Sequence, residues 1–405
     1  MKKDYIFLSI FLTFFFSQAQ IVNIPDANFK NTLVNTNCVD IDGNGSGDVD
    51  VDTNDDGEIQ VSEALAVLNL HVESRSIGSL EGIQSFANLE HLFGGSNFIG
   101  SLDISQNLNL QTLSFYYNNL TSLDVSHNVS LAHLDITQNP ITTINLNNLQ
   151  NLLRLIIVNV PLENLDLSEN INLELIYARN NSFPNIDLSN NINLEYLECT
   201  DNQLTNLDVT HNTNLTHLLF FNNNLTELDL SQNLALQSLH LTNNNITDLD
   251  LSHNNNLTYL YAIGNKLESL NMKNGNNHNV SQCVTSENPN LLCIQVDDTE
   301  IPSQQNGWFQ DPWTDYSLDC NLGIEENNLN TLLNLYPNPV KDILRIDNRN
   351  SLKINAVNVY DILGRQIISL KDNFDQIDIS FLNSGILFVE FETEIGNITK
   401  KIIKE

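Results

Sequence analysis

One interval constrains this chain more than any other feature: Leu102, Leu123, Ile144, Leu165, Ile186, Leu207, Leu228, Leu249 and Leu270 follow one another every 21 residues without an insertion. Each opens a phrase such as Leu228-Asp229-Leu230-Ser231-Gln232-Asn233. A unit this short cannot bury an apolar face alone, so equal units must stack coil on coil into a solenoid. Strict register then sets like residues above one another in columns, and function is expected on the broad side of the stack.

Shifting the frame gives L-x-x-L-x-L-x-x-N-x-L, as in Leu131-Ala132-His133-Leu134-Asp135-Ile136-Thr137-Gln138-Asn139-Pro140-Ile141. It recurs from Leu89, Leu110, Leu152, Leu173, Leu194, Leu215, Leu236 and Leu257. The first, fourth and sixth positions are expected to point inward, with one short strand per coil. Strands about 4.8 Å apart then pair into a parallel sheet, roughly 40 Å long for nine coils. Asn97, Asn118, Asn139, Asn181, Asn202, Asn223, Asn244 and Asn265 hold the ninth position. The chain turns there, and a side-chain amide can satisfy backbone groups that a tight bend strands. A second column, Asn107, Asn128, Asn170, Asn191, Asn212, Asn233 and Asn254, implies a second polar turn. Leu149 and Val160 interrupt both columns, which predicts a local irregularity. The pattern resembles the leucine-rich repeat family, in particular the 21-residue type of internalin-like bacterial surface proteins, over about residues 66–273. That resemblance implies a leucine-rich repeat solenoid whose sheet commonly binds other macromolecules.

Two further columns bear on function. Asp103, Asp124, Asp166, Asp187, Asp208, Asp229 and Asp250 follow the anchor residue. They read as local turn-formers beside Ser or Thr rather than as an acid/base set. The residues flanking the inward leucines point outward, and they include Phe93, Tyr116, Tyr177, Tyr196, Leu219, Phe221, Tyr259 and Tyr261. Exposed aromatics at this density suit a protein or sugar interface, because Tyr buries much area and keeps a polar tip. His91, His133 and His217 share a column but lie two and four coils apart, roughly 10 and 19 Å, too far for a joint metal site. Neither G-x-S-x-G, H-E-x-x-H nor a phosphate loop occurs, so catalysis is not expected.

Ahead of the repeats, Asp52-Thr53-Asn54-Asp55-Asp56-Gly57-Glu58-Ile59-Gln60-Val61-Ser62-Glu63 fits D-x-[DN]-x-[DN]-G-x5-E. Calcium chemistry explains the spacing: side-chain oxygens of Asp52, Asn54 and Asp56, a glycine for the sharp turn, the Glu58 carbonyl and a bidentate Glu63. The loop resembles an EF-hand. A helix over residues 61–68 is expected to follow, while no clear helix precedes. Asp40, Asp42, Asn44, Asp48 and Asp50 suggest a second, degenerate site without the terminal Glu. No Lys or Arg lies between Lys30 and Arg75 to balance the nine carboxylates from Asp40 to Glu63. This acidic N-terminal cap, residues 20–65, is therefore expected to need a structural Ca2+.

Charge and the two chain ends indicate where the protein works. Fifty Asp and Glu against seventeen Lys and Arg give a net −33 over 405 residues, which argues against nucleic acid and anionic membranes and favours cations, basic partners or simple solubility. Lys2 and Lys3, an apolar run over residues 5–16 and Ser17-Gln18-Ala19 read as a signal peptide, residues 1–19. No later stretch approaches the roughly 18 apolar residues of a membrane span, and the mature chain is expected to be monomeric. Export permits disulfides. Cys199 and Cys283 read as buried small hydrophobes, Cys293 and Cys320 as a candidate bridge across the segment with Trp308 and Trp313, and Cys38 has no obvious partner.

After a C-terminal repeat cap (274–321) and an Asn-rich linker (322–333), strand-like alternation replaces the beat, as in Leu387-Phe388-Val389-Glu390-Phe391-Glu392. This predicts a small all-β domain, an immunoglobulin-like β-sandwich. Tyr336-Pro337-Asn338-Pro339-Val340, Asn358-Val359-Tyr360-Asp361-Ile362-Leu363-Gly364-Arg365, Gly385-Ile386-Leu387-Phe388-Val389 and Lys400-Lys401-Ile402-Ile403-Lys404 occur in order. They resemble the type A sorting domain of the Bacteroidetes type IX secretion system, over residues 334–405. The resemblance implies the secretion machinery as a partner, passage through the outer membrane, and release or attachment at the cell surface. Two functions remain: an exported, adhesion-type protein that binds a protein or polysaccharide on the aromatic face, or a calcium-stabilised structural scaffold without a specific ligand.

Overall fold

The computed structural model describes residues 20–320, 333–348, 352–393 and 396–405, so the expected signal peptide, residues 1–19, and residues 322–332 of the expected linker lie outside the described residues. Contacts divide the chain into two units, Met1–Tyr316 and Ser317–Glu405.

In the first unit, twelve short strands form one parallel sheet from Asn69–His71 to Trp308–Phe309. Leu92 pairs with Leu113, and the register continues through Leu134, Leu155, Ile176, Leu197, Leu218, Leu239 and Leu260 at the 21-residue step. Within a strand such as Tyr196–Glu198 the middle residue is buried and its neighbours are half-buried, as a period of two demands. The inward side chains, with Phe86, Phe115, Phe183 and Phe220, make one continuous core.

The sheet outlasts the beat. Leu260 pairs with Cys283 and Cys283 with Trp308, so the last steps stretch to 23 and 25 residues. The same region adds a second parallel sheet, Asp248–Asp250, Ser269–Asn271, Cys293–Gln295 and Asp315–Ser317, which the repeat pattern did not reveal.

Asparagines knit the coils together. The Asn118 Oδ1 accepts the Ile99 amide at 3.0 Å, and Leu120, Leu204, Leu225 and Ile246 donate likewise to Asn139, Asn223, Asn244 and Asn265. Each such Asn follows a residue with positive φ, among them Tyr117, Gln138, Asp201, Asn222 and Asn243. A left-handed non-glycine residue costs roughly 1–2 kcal/mol, so the amide bonds hold a bend that the backbone alone disfavours. In the second column the side-chain nitrogen donates to two carbonyls of the preceding coil, as from Asn128 to Ile104 and Asn107.

The expected irregularity is present and confined. With Val160 in the column, the Leu162 amide turns back to the Val160 carbonyl at 2.7 Å, and Asn181 Oδ1 is buried without a hydrogen-bond partner. Strand register through Leu134, Leu155 and Ile176 is unaffected.

A cap closes the N-terminal edge. Contrary to the sequence expectation, a helix does precede the acidic loops, Ala27–Asn35. Its N-cap Asp26 accepts the Asn28 and Phe29 amides through one oxygen and the Gly78 and Ser79 amides of the first coil through the other. Val39 bridges antiparallel to Leu70 and to Val49, covering the first strand's free edge. The helix after the loop is one turn, Val61–Ala64, shorter than expected.

The second unit carries two antiparallel sheets: Asn334–Tyr336, Ile343–Asp347 and Gln376–Asp378 in one, and Gln366–Leu370, Ile354–Asp361, Gly385–Thr393 and Gly396–Lys404 in the other. Leu387, Val389 and Phe391 alternate inward against Val357, Val359, Ile377 and Ile402, the arrangement of a β-sandwich.

Candidate functional site

Parallel pairing turns the outward side chains of the solenoid strands into files one coil apart. Phe93, Tyr116, Tyr177, Tyr196, Leu219, Phe221 and Tyr261 are half-buried by their neighbours, and Tyr259 is 43% exposed. They do not form one stripe. His71 stacks on Phe93 with centroids 4.4 Å apart, and Tyr116 lies so close over Gly95 that a Cβ there would meet its ring at 2.4 Å. Ser114, Asp135 and Ile156 then separate Phe93 from Tyr177 in the same file.

The central group is tighter. The Tyr177 and Tyr196 rings approach to 4.9 Å, and Tyr196 stacks on His217 at 5.3 Å and 20°. His240 and Tyr261 make a third contact at 4.5 Å. Strands Leu175–Tyr177, Tyr196–Glu198, His217–Leu219 and Tyr259–Tyr261 thus carry Tyr177, Tyr196, Leu219, Tyr259 and Tyr261, while Phe221 lies two residues past the third and the intervening Ser238–His240 contributes His240. Burial pushes the His240 and His133 imidazoles below their usual range, so both favour the neutral form at neutral pH. Burial likewise raises the Tyr196 phenol, helped by its hydrogen bond with Tyr177.

In the acidic cap the carboxylates that converge are not those the motif favoured. Asp40, Asp42 and Asp48 bring ligand oxygens within 4.8 Å of one another. They are the one such group among the described residues, in the stretch read as degenerate. Although burial pushes Asp40 up, amides of Gly45 and Gly43 hold its carboxyl below the usual range. In the Asp52 loop the expected glycine turn is present, with Gly57 at φ 83. Asp52 accepts the Asp56 and Gly57 amides, and Asn54 Oδ1 also accepts the Asp56 amide. Glu63 spends one oxygen on Thr53 and the other on the Gln60 amide. Asp56 is bridged by Gln60, and the Glu58 side chain pairs with Lys30 at 2.7 Å. Lys30 thus supplies positive charge that the sequence placed outside the loop.

Each Asp of the repeat file accepts the amide two residues on, as Asp229 does from Ser231 at 2.9 Å, which is the local turn role. A third asparagine file went unread: Asn109, Asn151, Asn172, Asn193, Asn214 and Asn256 donate to the carbonyl 22 residues earlier. The 21-residue step alone could have found it. Cys293 and Cys320 are disulfide-bonded, and Cys38, Cys199 and Cys283 are buried free thiols.

Residues 334–405 match the secretion system C-terminal sorting domain. The chain therefore carries a type IX sorting signal and is exported to the cell surface or extracellular space. No helix among the described residues is long and apolar enough to cross a membrane. No curated protein matches the chain. Among solved structures, the chain is similar to the internalin InlF of Listeria monocytogenes, at 20% identity and a TM-score of 0.52, covering 75% of this chain and 98% of that one. The functional domain of InlJ from Listeria monocytogenes aligns at 21% identity and a TM-score of 0.39, over 96% and 99% of the two chains. A leucine-rich repeat protein of Leptospira interrogans aligns at 20% and 0.47, over 64% and 74%. The likeness to InlF identifies the fold as a leucine-rich repeat solenoid.

Proposed function

We propose that this exported chain is a binding protein of the adhesion type, which holds a protein or polysaccharide partner on the outward face of its parallel sheet. The observation that carries this reading is the outward run of Tyr177, Tyr196, Leu219, Tyr259 and Tyr261 on neighbouring strands of one sheet, with Phe221 just past strand His217–Leu219. Such side chains are held by a rigid scaffold and lose little freedom on binding, while their polar tips keep the free face soluble. The sorting domain delivers that face to the outside, where partners are met.

Calcium belongs to the same proposal as a structural ion of the cap. Asp40, Asp42 and Asp48 offer hard oxygen donors at mutual distances a cation can bridge. They sit beside Val39, which covers the first strand, so an ion there would fasten the cap to the sheet. In the downstream loop, Asp52, Asn54, Asp56, Glu58 and Glu63 fit the motif, although Glu63 is engaged by Thr53 and Gln60 in this structure.

The test is to present the mature chain to panels of extracellular proteins and glycans with and without chelator. Saturable retention of a ligand supports the binding reading. A chain that retains nothing in either condition, and whose unfolding alone responds to chelation, is the calcium-stabilised scaffold instead.

A further inference from the structure

The central aromatic stack is bordered by carboxylates that no salt bridge among the described residues engages. Tyr177 is in register with Glu198, and Tyr196 with His217. Glu174 and Glu195 immediately precede the strands that carry Tyr177 and Tyr196, and both are exposed one coil apart. None of the three carboxylates has a salt bridge among the described residues. Of the two guanidiniums nearby, Arg179 places its Nε 3.0 Å from Asp201 Oδ2 and is spent there, and Arg154, in register with Leu175, makes no salt bridge to these carboxylates. Burial pushes Glu198 above the usual carboxylate range, outweighing the attraction of Arg179.

This inference rests on the sheet-face reading and names the chemistry of the partner. We propose that the Tyr177–Tyr196–His217 stack, with Glu174, Glu195 and Glu198, is a subsite for the Arg or Lys side chain of a basic polypeptide. Aromatic faces attract cations, and a partly desolvated carboxylate gains more from an incoming cation than a hydrated one does. Stacked Tyr and His rings offer a flat surface that matches a guanidinium plane. The field of the whole unit acts in the same direction. Nine of the seventeen Lys and Arg lie in residues 334–405, which leaves six against 37 Asp and Glu over residues 20–320. A basic polypeptide is steered toward such a surface, whereas an anionic polysaccharide is repelled. A neutral sugar could use the rings but would leave three carboxylates without a role.

The experiment uses the intact mature chain with a labelled nona-arginine peptide as the probe, and its uncharged citrulline counterpart, at near-physiological salt. The paired change Glu195→Gln and Glu198→Gln, and separately Tyr196→Leu, is expected to weaken peptide binding about tenfold. The charge-matched pair Glu227→Gln and Glu268→Gln, away from the stack, is expected to change it less than about twofold. Melting curves establish that each variant is folded. Amide exchange should show protection on strands Leu175–Tyr177, Tyr196–Glu198 and His217–Leu219. Equal weakening by both pairs overturns the subsite, because overall charge then explains the attraction. Protection centred on Tyr259–Tyr261 overturns the subsite and leaves the sheet-face reading standing. Protection confined to the cap or the turns counts against both.

Discussion

Asn118 and Ile99 meet across one coil boundary: the Asn118 side chain accepts the Ile99 amide at 3.0 Å and donates to the Gly94 carbonyl at 2.9 Å. One buried side chain thus satisfies backbone groups on two segments of the preceding coil. Replacing it with an apolar residue strands both, at roughly 1–3 kcal/mol for each buried group. Asn118→Val should therefore lower the urea midpoint clearly. Val160→Asn, which restores the column where it is interrupted, should lower it little or raise it. Equal losses from the two changes would show that the column is decoration.

The pH response separates two sets of carboxylates. Backbone amides, those of Ser105 and Ser189 leading, hold Asp103 and Asp187 below the ordinary 3.8, as the Ser231 amide does for Asp229. A folded value below the unfolded one gives stability that is present above about pH 4 and is lost as pH falls through the folded value. Asp135 has the opposite sign, since burial raises it. Its ionisation opposes folding at neutral pH, so Asp135→Asn should raise the urea midpoint at pH 7 and leave it unchanged near pH 3. A gain at pH 3 as large as at pH 7 would contradict this assignment.

Thiol chemistry offers a check on burial. Desolvation pushes Cys38 and Cys283 to about 12 and raises Cys199 further, so the reactive thiolate is scarce at pH 8. The folded mature chain should take up no iodoacetamide on a timescale of minutes. Denaturant alone should expose three sites and denaturant with reductant five, counted by mass. Rapid labelling of the folded chain would mean that the core opens far more readily than the structure implies.

Calcium at a hundred times its dissociation constant adds about 2.7 kcal/mol to a fold that needs it. Chelation should accordingly lower the melting temperature by several degrees, and Asp40→Asn with Asp48→Asn should abolish the difference. If instead Asp52→Asn abolishes it and the Asp40 pair does not, the downstream loop is the principal site.

Much of this was legible because repetition amplifies weak signals. One Asn in one turn says little, but Asn at every twenty-first residue fixes its role, and the outward positions of Tyr177, Tyr196 and Tyr261 follow from the same count. The cap is written once, and its closure depends on pairings far apart in sequence, such as Val39 with Leu70 and Asp26 with Gly78. Neither leaves a periodic trace. The helix Ala27–Asn35 was missed for the same reason: with nine residues, three of them Asn, its pattern is weak, and contacts of Phe29 and Leu33 with the core hold it. Asp40, Asp42 and Asp48 read only as part of a degenerate site because the motif weighs a loop by its terminal Glu, whereas their convergence is set by the fold. The separation of Phe93 from the central stack was implicit in Ser114, Asp135 and Ile156, which occupy its file.

The central claim, that the sheet face is the binding surface, is tested most directly by comparing partner capture by the mature chain with capture by a variant in which Tyr177, Tyr196, Phe221, Tyr259 and Tyr261 are all alanine. Because these side chains point outward, the variant should keep its far-ultraviolet spectrum and cooperative melt. Affinity for the captured partner is expected to fall by at least about a hundredfold, as the loss of several interface aromatics demands. A folded variant that captures the partner as tightly as the unaltered chain would contradict it.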